Sequence, residues 1–316
     1  MGRSLLKTVI GIDLGGTNIV SAVVDEKGRI LGQDKRKTMA PLGAVGVMNR
    51  IVESAHAASA DSELPWASHL AVGIGSPGPL DPKKGIILYT PNLNWKNVHI
   101  VDYLRKKLHK KVSLENDANL AALGESWVGA GKGEKVVLCV TLGTGVGGGL
   151  IVDGKIYEGA TGVSNHIGHI VVIPDGPPTA YGNSGILEQY VSATGIIRLA
   201  TEAGLKLPPG EPREAYSFQK MAEAGNQKAL KVYEKAGRIL GIGLTSAIHL
   251  LNPGMIIFSG GVAGAGDLLM KPMMKELQKR SFKSHLKGLK FRIAKLGEHM
   301  GAVGAARLAW QSLRNA

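Results

Sequence analysis

Apolar and small residues follow the same pattern at two distant places in the chain. Residues 9–25 (VIGIDLGGTNIVSAVVD) align without a gap with residues 137–153 (VLCVTLGTGVGGGLIVD). Each stretch is an apolar run, a Gly/Thr-rich turn and a second apolar run that ends in aspartate. Apolar runs of β-branched residues on either side of a small-residue turn are typical of a β-hairpin. The pattern predicts one hairpin in each half of the chain, and a duplicated lobe is the simplest explanation.

The segments around the hairpins predict alternating strands and helices. Residues 43–59 have helical spacing of apolar positions, and residues 69–81 read as a strand that enters a Pro/Gly loop. Residues 100–131 predict helix, strand and helix, residues 252–277 predict strand, glycine turn and helix, and an Ala-rich helix closes the chain. Such alternation indicates an α/β fold.

The length of the chain predicts two lobes. At 316 residues the chain exceeds what a single hydrophobic core usually covers. We therefore predict a smaller N-terminal α/β lobe over 1–118 and a larger α/β lobe over 119–299. The C-terminal helix, 300–316, is expected to pack back on the N-terminal lobe.

Charge and cysteine content narrow the class of protein. The formal net charge is +13, but the basic residues are scattered, and the densest clusters, 34–38 and 104–112, have no interleaved aromatic residues. They favour a solvated basic face over a nucleic-acid groove. Cys139 is the single cysteine and excludes an internal disulfide. Residues 136–152 are too rich in glycine for a membrane span, and no signal peptide is evident. We expect a cytoplasmic protein without nucleic-acid or membrane partners.

Three glycine-rich turns are candidate phosphate sites. The turn DLGGTN (13–18) lies between two predicted strands, so it does not have the strand-to-helix context of a P-loop. Its glycines still let backbone N–H groups approach an anion, and Asp13 is suited to hold Mg²⁺ through water. A plain tight hairpin remains the alternative for each turn alone. The candidate nucleotide-binding residues are Asp13, Gly15, Gly16, Thr17, Asn18, Thr141, Gly143, Thr144, Gly145, Gly260 and Gly261.

Two further segments carry candidate chemistry. In LENDAN (114–119), Asp117 ends a strand and begins a helix, which suits a helix N-cap and a general base equally well, with Asn116 beside it to orient a substrate. His166 and His169, three residues apart, are able to share a metal, grip a polar ligand or simply be packed.

The motifs together resemble the ROK family of sugar kinases and sugar-responsive repressors over nearly the whole chain. The matching stretches are GIDLGGTN, GIGSPGPLD, NLNW, ENDANLAALGE, TLGTGVGGGLIVDGKI, IGH, GNSGILEQ and LLNPGMIIFSGGV. The resemblance implies two actin-like, ribonuclease H-like lobes with ATP, Mg²⁺ and a hexose in the cleft between them, in a homodimer. It implies that Asp117 deprotonates the sugar hydroxyl that attacks the γ-phosphate. The implied sugar-binding residues are Gly78, Asn94, Asn116, Asp117, His166, His169 and Glu188.

The segment 165–189 departs from the family pattern. Family members usually have glutamate where this chain has His166, and three zinc-binding cysteines where it has Thr179, Tyr181 and Ile186. A single remaining family histidine cannot form a tetrahedral thiolate site, so we expect no structural zinc. We predict instead that Tyr181 and Ile186 bury apolar surface there. A neutral imidazole at 166 offers one donor and one acceptor and can charge near neutral pH, so we expect unusual sugar selectivity or pH dependence. The alternative is a His166 that points away from the sugar.

The favoured interpretation is an ATP-dependent hexose 6-kinase, with glucose as the first choice of sugar. N-acetylmannosamine, mannose or fructose as acceptor, and polyphosphate as donor, are variants of it. Interpretations of another class are a sugar-responsive repressor, disfavoured because the first hairpin begins at Val9, and a non-catalytic sugar-binding protein, disfavoured by Asp13 and Asp117.

Overall fold

The computed structural model describes residues 6–179 and 182–314 and divides the chain into two compact units. The first unit comprises the chain up to Gly133, residues 151–163 and the chain from Lys295 onward, and the second comprises residues 134–150 and 164–294. The strands are β1 (Thr8–Leu14), β2 (Asn18–Asp25), β3 (Ile30–Lys37), β4 (His69–Ser76), β5 (Leu80–Asp81), β6 (Ile86–Thr90), β7 (Trp95–Val98), β8 (Lys111–Asn116), β9 (Val136–Leu142), β10 (Val146–Val152), β11 (Lys155–Ile156), β12 (Met255–Ser259) and β13 (Lys290–Ile293). The helices are α1 (Gly43–Asp61), α2 (Ile100–Leu108), α3 (Asp117–Trp127), α4 (Glu188–Val191), α5 (Ala193–Glu202), α6 (Ala215–Glu223), α7 (Gln227–Leu251), α8 (Asp267–Arg280), α9 (Lys283–Leu286) and α10 (Met300–Arg314).

The first unit is built on a five-stranded sheet in the order β3-β2-β1-β4-β8. Strands β1, β2 and β3 are antiparallel neighbours, whereas β4 is parallel to both β1 and β8. Residues of β1 alternate between the two faces: Ile10 packs in the cluster that includes α1 and α2, and Val9 packs in the cluster that includes α10. Since both faces are covered, β1, β2 and β4 read as nearly continuous apolar runs, whereas the edge strand β3 is mostly polar.

Helix α10 packs on the first unit through backbone contact at glycines. A Cβ added at Gly11 would lie 1.9 Å from the Ala302 carbonyl oxygen, and one added at Gly304 would lie 1.8 Å from the Leu120 carbonyl oxygen. This close contact makes α3 and α10 neighbours, and α3 therefore belongs to the first unit. The observed units thus divide the chain differently from the predicted lobes, 1–118 and 119–299, because α3 and residues 151–163 join the first unit.

The second unit contains the strand order β10-β9-β12-β13, in which β12 is parallel to β9 and β13. The two hairpins predicted from the internal repeat are the neighbouring pairs β1–β2 and β9–β10, and the predicted α/β class is confirmed. Helices α7 and α8 pack against each other. Neither α7 nor any other helix among the described residues is apolar over a length that would cross a membrane.

His69, at the start of β4, gives the first unit a pH-dependent stability. Its buried imidazole lies 2.7 Å from the Thr8 hydroxyl at Nδ1 and 2.7 Å from the Ser59 hydroxyl at Nε2. Burial, reinforced by the charge of Lys110, lowers the pKa of His69 from 6.5 to about 4. The unfolded chain therefore takes up a proton first as the pH falls, so this contribution is complete above pH 6.5 and is lost towards pH 4.

We expect the free energy of unfolding to fall by about 2 kcal/mol between pH 7 and pH 5 through His69 alone, from 1.36 kcal/mol per pKa unit. Urea unfolding of the wild type and of His69→Gln at both pH values measures the effect as the difference between their slopes. His99→Gln is the matched control, because the His99 side chain is 62% exposed. Equal pH slopes for wild type and His69→Gln would contradict the assignment.

Candidate functional site

Two carboxylates, Asp13 and Asp117, come together in the first unit. Asp13 is on β1 and Asp117 begins α3 directly after β8, and both strands flank β4. Gly75 of β4 lies beside both, since a Cβ added there would be 3.7 Å from the Asp117 Cα and 3.8 Å from Asp13 Oδ1. Gly301 of α10 lies on the other side, where a Cβ would be 2.3 Å from Asp13 Oδ2. Small residues thus leave the space in which the two carboxylates sit.

The surroundings of this pair raise both pKa values. Burial, together with the charge of Asp117, raises the pKa of Asp13 to about 7. Burial also raises the pKa of Asp117, an effect partly offset by the hydrogen bond that Ala118 N donates to Asp117 Oδ1 at 2.8 Å. Two nearby carboxylates with raised pKa values are a recurrent property of functional sites.

Asn116 is the N-cap residue of α3. Its Oδ1 accepts from Ala118 N at 3.0 Å and from Asn119 N at 3.4 Å. The capping role that the sequence left open for Asp117 therefore falls to its neighbour. Glu115, which the sequence reasoning did not single out, accepts from Asn116 N at 2.8 Å and from Asn119 Nδ2 at 3.1 Å. Its position inside the ENDAN motif was the signal that could have found it.

The glycine turn between β1 and β2 is held by its neighbours. Gly15 N donates to the Asn18 carbonyl at 2.9 Å. Thr38 binds the same turn twice: its hydroxyl donates to the Gly15 carbonyl at 2.7 Å and its N–H to the Thr17 carbonyl at 2.9 Å. Several carbonyl groups of the turn are thereby used within the protein. Gly16 lies against Asn92, whose Cβ would be 3.2 Å from an added Cβ.

Asn94 lines a cavity of about 490 Å³ in the first unit. It has a left-handed backbone conformation with φ 53° after the turn at Pro91–Leu93. The cavity is lined by Ala40, Pro41, Gly43, Ala44, Pro91, Asn92, Leu93, Asn94, Trp95, Lys96 and Val98. Asn92 is thus a second amide that sequence reasoning missed, although the repeated asparagine in NLNW pointed to it. Gly78 has φ 91° and packs on β6, where a Cβ would be 2.2 Å from the Tyr89 carbonyl oxygen.

In the second unit, the glycine-rich turn within residues 141–149 lies next to the glycine-rich turn within residues 259–264. Thr141 and Ser259 pair at the carboxyl ends of the parallel strands β9 and β12. Gly260, with φ 88°, packs so closely on this edge that an added Cβ would be 2.4 Å from the Leu142 carbonyl oxygen. A Cβ added at Gly143 or Gly261 would meet nothing within 4 Å. The arrangement brings Thr141 and Leu142, at the start of one turn, beside Gly260 of the other, with open space at Gly143 and Gly261.

Glu188 and Gly168, which lies between the two histidines, both contact Val146 at the end of the turn between β9 and β10. Val146 N donates to Glu188 Oε2 at 2.8 Å, and that oxygen would be 2.6 Å from a Cβ added at Gly145. Gly168, between the two histidines, packs on the same residue, since an added Cβ would be 2.2 Å from the Val146 carbonyl oxygen. The fold therefore groups the predicted sugar residues of this unit around one turn.

His166 and His169 have rings 6.0 Å apart between centroids, in an edge-on arrangement. Burial, with the charge of His169 as the second cause, lowers the pKa of His166. The lowered pKa favours neutral imidazole at neutral pH, in contrast to the charging there that the residue type alone suggests. Neutral imidazole keeps one acceptor and one donor for a polar ligand.

Backbone hydrogen bonds brace the loop that precedes Glu188. The Gly185 carbonyl accepts from Val172 N at 2.9 Å and from Ile173 N at 3.2 Å, and Leu187 N donates to the Ile170 carbonyl at 2.9 Å. Gly185 has φ 63°, and a Cβ there would be 1.6 Å from the Ile173 carbonyl oxygen, so only glycine fits. Ile186 is 1% exposed, as predicted, whereas Tyr181 lies outside the described residues.

Comparison with known proteins identifies the family. The ROK family model matches residues 9–312. The chain belongs to the ROK family. It is 36% identical to a glucokinase of Thermotoga maritima over 310 residues, which cover 95% of this chain and 96% of the relative.

Two solved ROK structures resemble the fold over nearly its full length. A ROK hexokinase from Thermus thermophilus has a TM-score of 0.85 and 32% identity, covering 98% of this chain and 100% of the other. A ROK family glucokinase from Streptomyces griseus, in complex with glucose and AMPPNP, has a TM-score of 0.79 and 35% identity, covering 96% and 99%. The predicted ROK membership and the actin-like fold class are confirmed by these comparisons.

The residues of this ROK protein do not fit a structural zinc. Thr179 and Ile186 stand where the family pattern has cysteines, and the described residues contain no group of three or more His, Cys, Asp or Glu side chains that would hold a metal. Buried apolar packing and the backbone hydrogen bonds around Gly185 occupy this place instead.

We expect a purified sample to contain no stoichiometric zinc, and 1,10-phenanthroline in excess Mg²⁺ to leave the melting temperature and catalytic rate unchanged, because no thiolate site holds the loop. Metal analysis, thermal unfolding and initial rates check the three parts. Excess Mg²⁺ controls for loss of the nucleotide's metal. A fall in melting temperature that added zinc reverses would contradict the expectation.

Proposed function

We propose that this ROK protein transfers the γ-phosphate of ATP to the 6-hydroxyl of a hexose, with glucose as the substrate. The observation that carries the proposal is the buried Asp117 at the start of α3, beside Asp13 and directly after a capping asparagine. Its raised pKa makes it a stronger proton acceptor than an exposed carboxylate. The 36% identity to the Thermotoga maritima glucokinase and the glucose in the Streptomyces griseus complex support the choice of sugar.

In the proposed reaction Asp117 accepts the proton of the sugar 6-hydroxyl. The oxygen attacks the γ-phosphorus, the bond to the bridging oxygen of ADP breaks, and the products are ADP and hexose 6-phosphate. Asn116, fixed by its capping bonds, orients the acceptor. The further sugar contacts that we propose are Gly78, Asn94, His166, His169 and Glu188.

The glycine turns are suited to the phosphates of ATP. Backbone N–H groups at Gly16 and Gly145 can approach an anion closely because glycine lacks a side chain. Gly15 N and Gly143 N instead close their turns, by donating to the Asn18 and Gly145 carbonyls at 2.9 and 3.0 Å. Thr17, Asn18, Thr141 and Thr144 add polar groups, and Gly260 and Gly261 complete the edge of the second unit. The AMPPNP in the Streptomyces griseus complex supports a nucleoside triphosphate as donor.

Asp13 fits the ion that accompanies ATP. A carboxylate whose pKa is raised to about 7 is relieved of an unfavourable charge when a cation binds beside it. Mg²⁺, when bound with ATP, would neutralise charge that develops on the transferred group, and Asp13 would hold it through water. Assembly as a homodimer and a cytoplasmic location remain predictions.

The proposal is tested by hexose-stimulated ADP release in a coupled assay. Glucose, mannose, fructose and N-acetylmannosamine are compared as acceptors, and the product is identified as the 6-phosphate by mass and phosphorus NMR. ATP is then replaced by polyphosphate. We expect glucose with ATP to have the highest kcat/KM. Absence of stimulation by every sugar with both donors would reject a sugar kinase.

A further inference from the structure

The turn between β9 and β10 is held from the side of α5 as well as by Glu188. The Thr194 hydroxyl donates to the Thr144 carbonyl at 2.6 Å. One residue earlier, Ala193 N donates to the Gly143 carbonyl at 2.8 Å. Two successive carbonyl groups at the tip of the candidate nucleotide turn are therefore bonded to the first residues of α5.

The start of α5, which holds this turn, is itself fixed by a helix cap and by close packing. Ser192 caps the helix, with its hydroxyl accepting from Gly195 N at 3.0 Å. Gly195 is buried, and a Cβ added there would be 2.7 Å from the Gln189 carbonyl oxygen. Thr194 lies between these two residues and is β-branched, so its χ1 has few alternatives. The Thr194 side chain is exposed, and the helix start aims its hydroxyl at the turn.

The glycine content of the turn makes such an anchor consequential. Glycines at 143 and 145 remove the side-chain restraints that would otherwise set the backbone conformation. The direction of the peptide N–H groups then depends on the hydrogen bonds made by the neighbouring carbonyl groups. An anchor on the Thr144 carbonyl restrains the orientation of the peptide that joins Thr144 to Gly145.

We propose that Thr194 is a positioning residue for the nucleotide, holding the Thr144 carbonyl so that the Gly143–Gly145 backbone is set to receive the phosphates of ATP. The inference rests on the proposed function, in which this turn binds ATP. Glu188 holds the opposite side of the same turn through Val146 N, but that carboxylate is also a proposed sugar contact. Thr194 is the anchor whose removal separates the nucleotide effect from the sugar effect.

The experiment compares wild type, Thr194→Val, Thr194→Ser and Thr201→Val. Valine keeps the shape and removes the hydroxyl, whereas serine restores it. Thr201→Val is the matched control, because Thr201 is exposed on the same helix and its hydroxyl donates to the Ile197 carbonyl at 2.7 Å, away from the turn. The readouts are KM for ATP and for glucose, the Kd of AMPPNP by calorimetry, and the melting temperature.

We expect Thr194→Val to raise the KM for ATP and the Kd of AMPPNP about 3- to 10-fold, the effect of one lost hydrogen bond, with the KM for glucose changed less than about 2-fold. Thr194→Ser should return both values to within about 2-fold of wild type. Thr201→Val should leave them unchanged, and the melting temperatures should agree to within about 4 °C, since a single hydrogen bond contributes little to the stability of a chain of this size.

Equal AMPPNP affinity in wild type and Thr194→Val overturns the inference, as does a parallel rise in the KM values for ATP and glucose. If the wild type releases no ADP with any sugar, the proposed function fails, while calorimetry still tests Thr194. A wild type that binds no AMPPNP overturns both.

Discussion

Asp117→Asn is expected to lower kcat for hexose phosphorylation by about 10²- to 10⁴-fold, the usual contribution of a positioned general base. Asparagine has nearly the same shape and keeps an oxygen to accept from Ala118 N, a bond of 2.8 Å in the wild type. What it lacks is the ability to take the proton of the sugar hydroxyl. The loss should therefore fall on kcat, with the KM for ATP and the calorimetric Kd of glucose changed only slightly.

The coupled ADP-release assay measures the loss directly. Asp102→Asn is the matched control, because the Asp102 side chain is 67% exposed on α2 and should leave kcat unchanged. Full activity of Asp117→Asn would remove the general base from the proposed mechanism. A large rise in the Kd of glucose at unchanged kcat would instead assign Asp117 to sugar binding.

Asp13→Asn is expected to stabilise the protein above neutral pH and to abolish ATP-dependent activity. The pKa of Asp13 is raised to about 7 in the folded chain from 3.8. The folded state therefore retains a proton that the unfolded state has already lost, and the stability due to this group falls as the pH rises from 3.8 to 7. Since asparagine carries no charge, the variant should gain about 2–4 kcal/mol at pH 8 and little near pH 4.

The difference in free energy of unfolding between Asp13→Asn and wild type, measured from pH 4 to pH 8, isolates this effect. The His69 contribution changes in the opposite direction but is common to both proteins and cancels. A difference that stays flat or declines with rising pH would contradict the raised pKa. A variant that keeps its activity would remove Asp13 from the proposed Mg²⁺ site.

Local patterns were sufficient to predict the architecture. The hairpins β1–β2 and β9–β10 follow from short β-branched runs around glycine turns, because strand pairing across a tight turn depends on neighbours in the chain. The ROK motifs added candidate residues that are far apart in the sequence. Several of them, Asp13 with Asp117 in one unit and Gly145 with Glu188 in the other, are in fact neighbours.

In the segment that contains His166 and His169, the residue types exclude one kind of metal site, but they do not predict the structure found in its place. The absence of the family cysteines is visible in the sequence, and it is sufficient to exclude a thiolate zinc site. The bonds that brace the loop instead are not visible there. The Gly185 carbonyl and its two donors are determined by the path of the backbone, which residue types do not specify.

The sequence by itself determined the α/β class, the repeated hairpin, the family and most of the candidate residues, because these depend on local periodicity and on motifs of fixed spacing. The tertiary structure decided the hydrogen-bond partners and the pKa values of those residues. In the fold, Asn116 is the N-cap of α3, and the Thr194 hydroxyl donates to the Thr144 carbonyl. The pKa of Asp13 is raised beside Asp117, and the pKa of His166 is lowered. Burial, charge and hydrogen-bond geometry act through space between residues that are distant in the chain, and only the folded arrangement brings them within reach of one another.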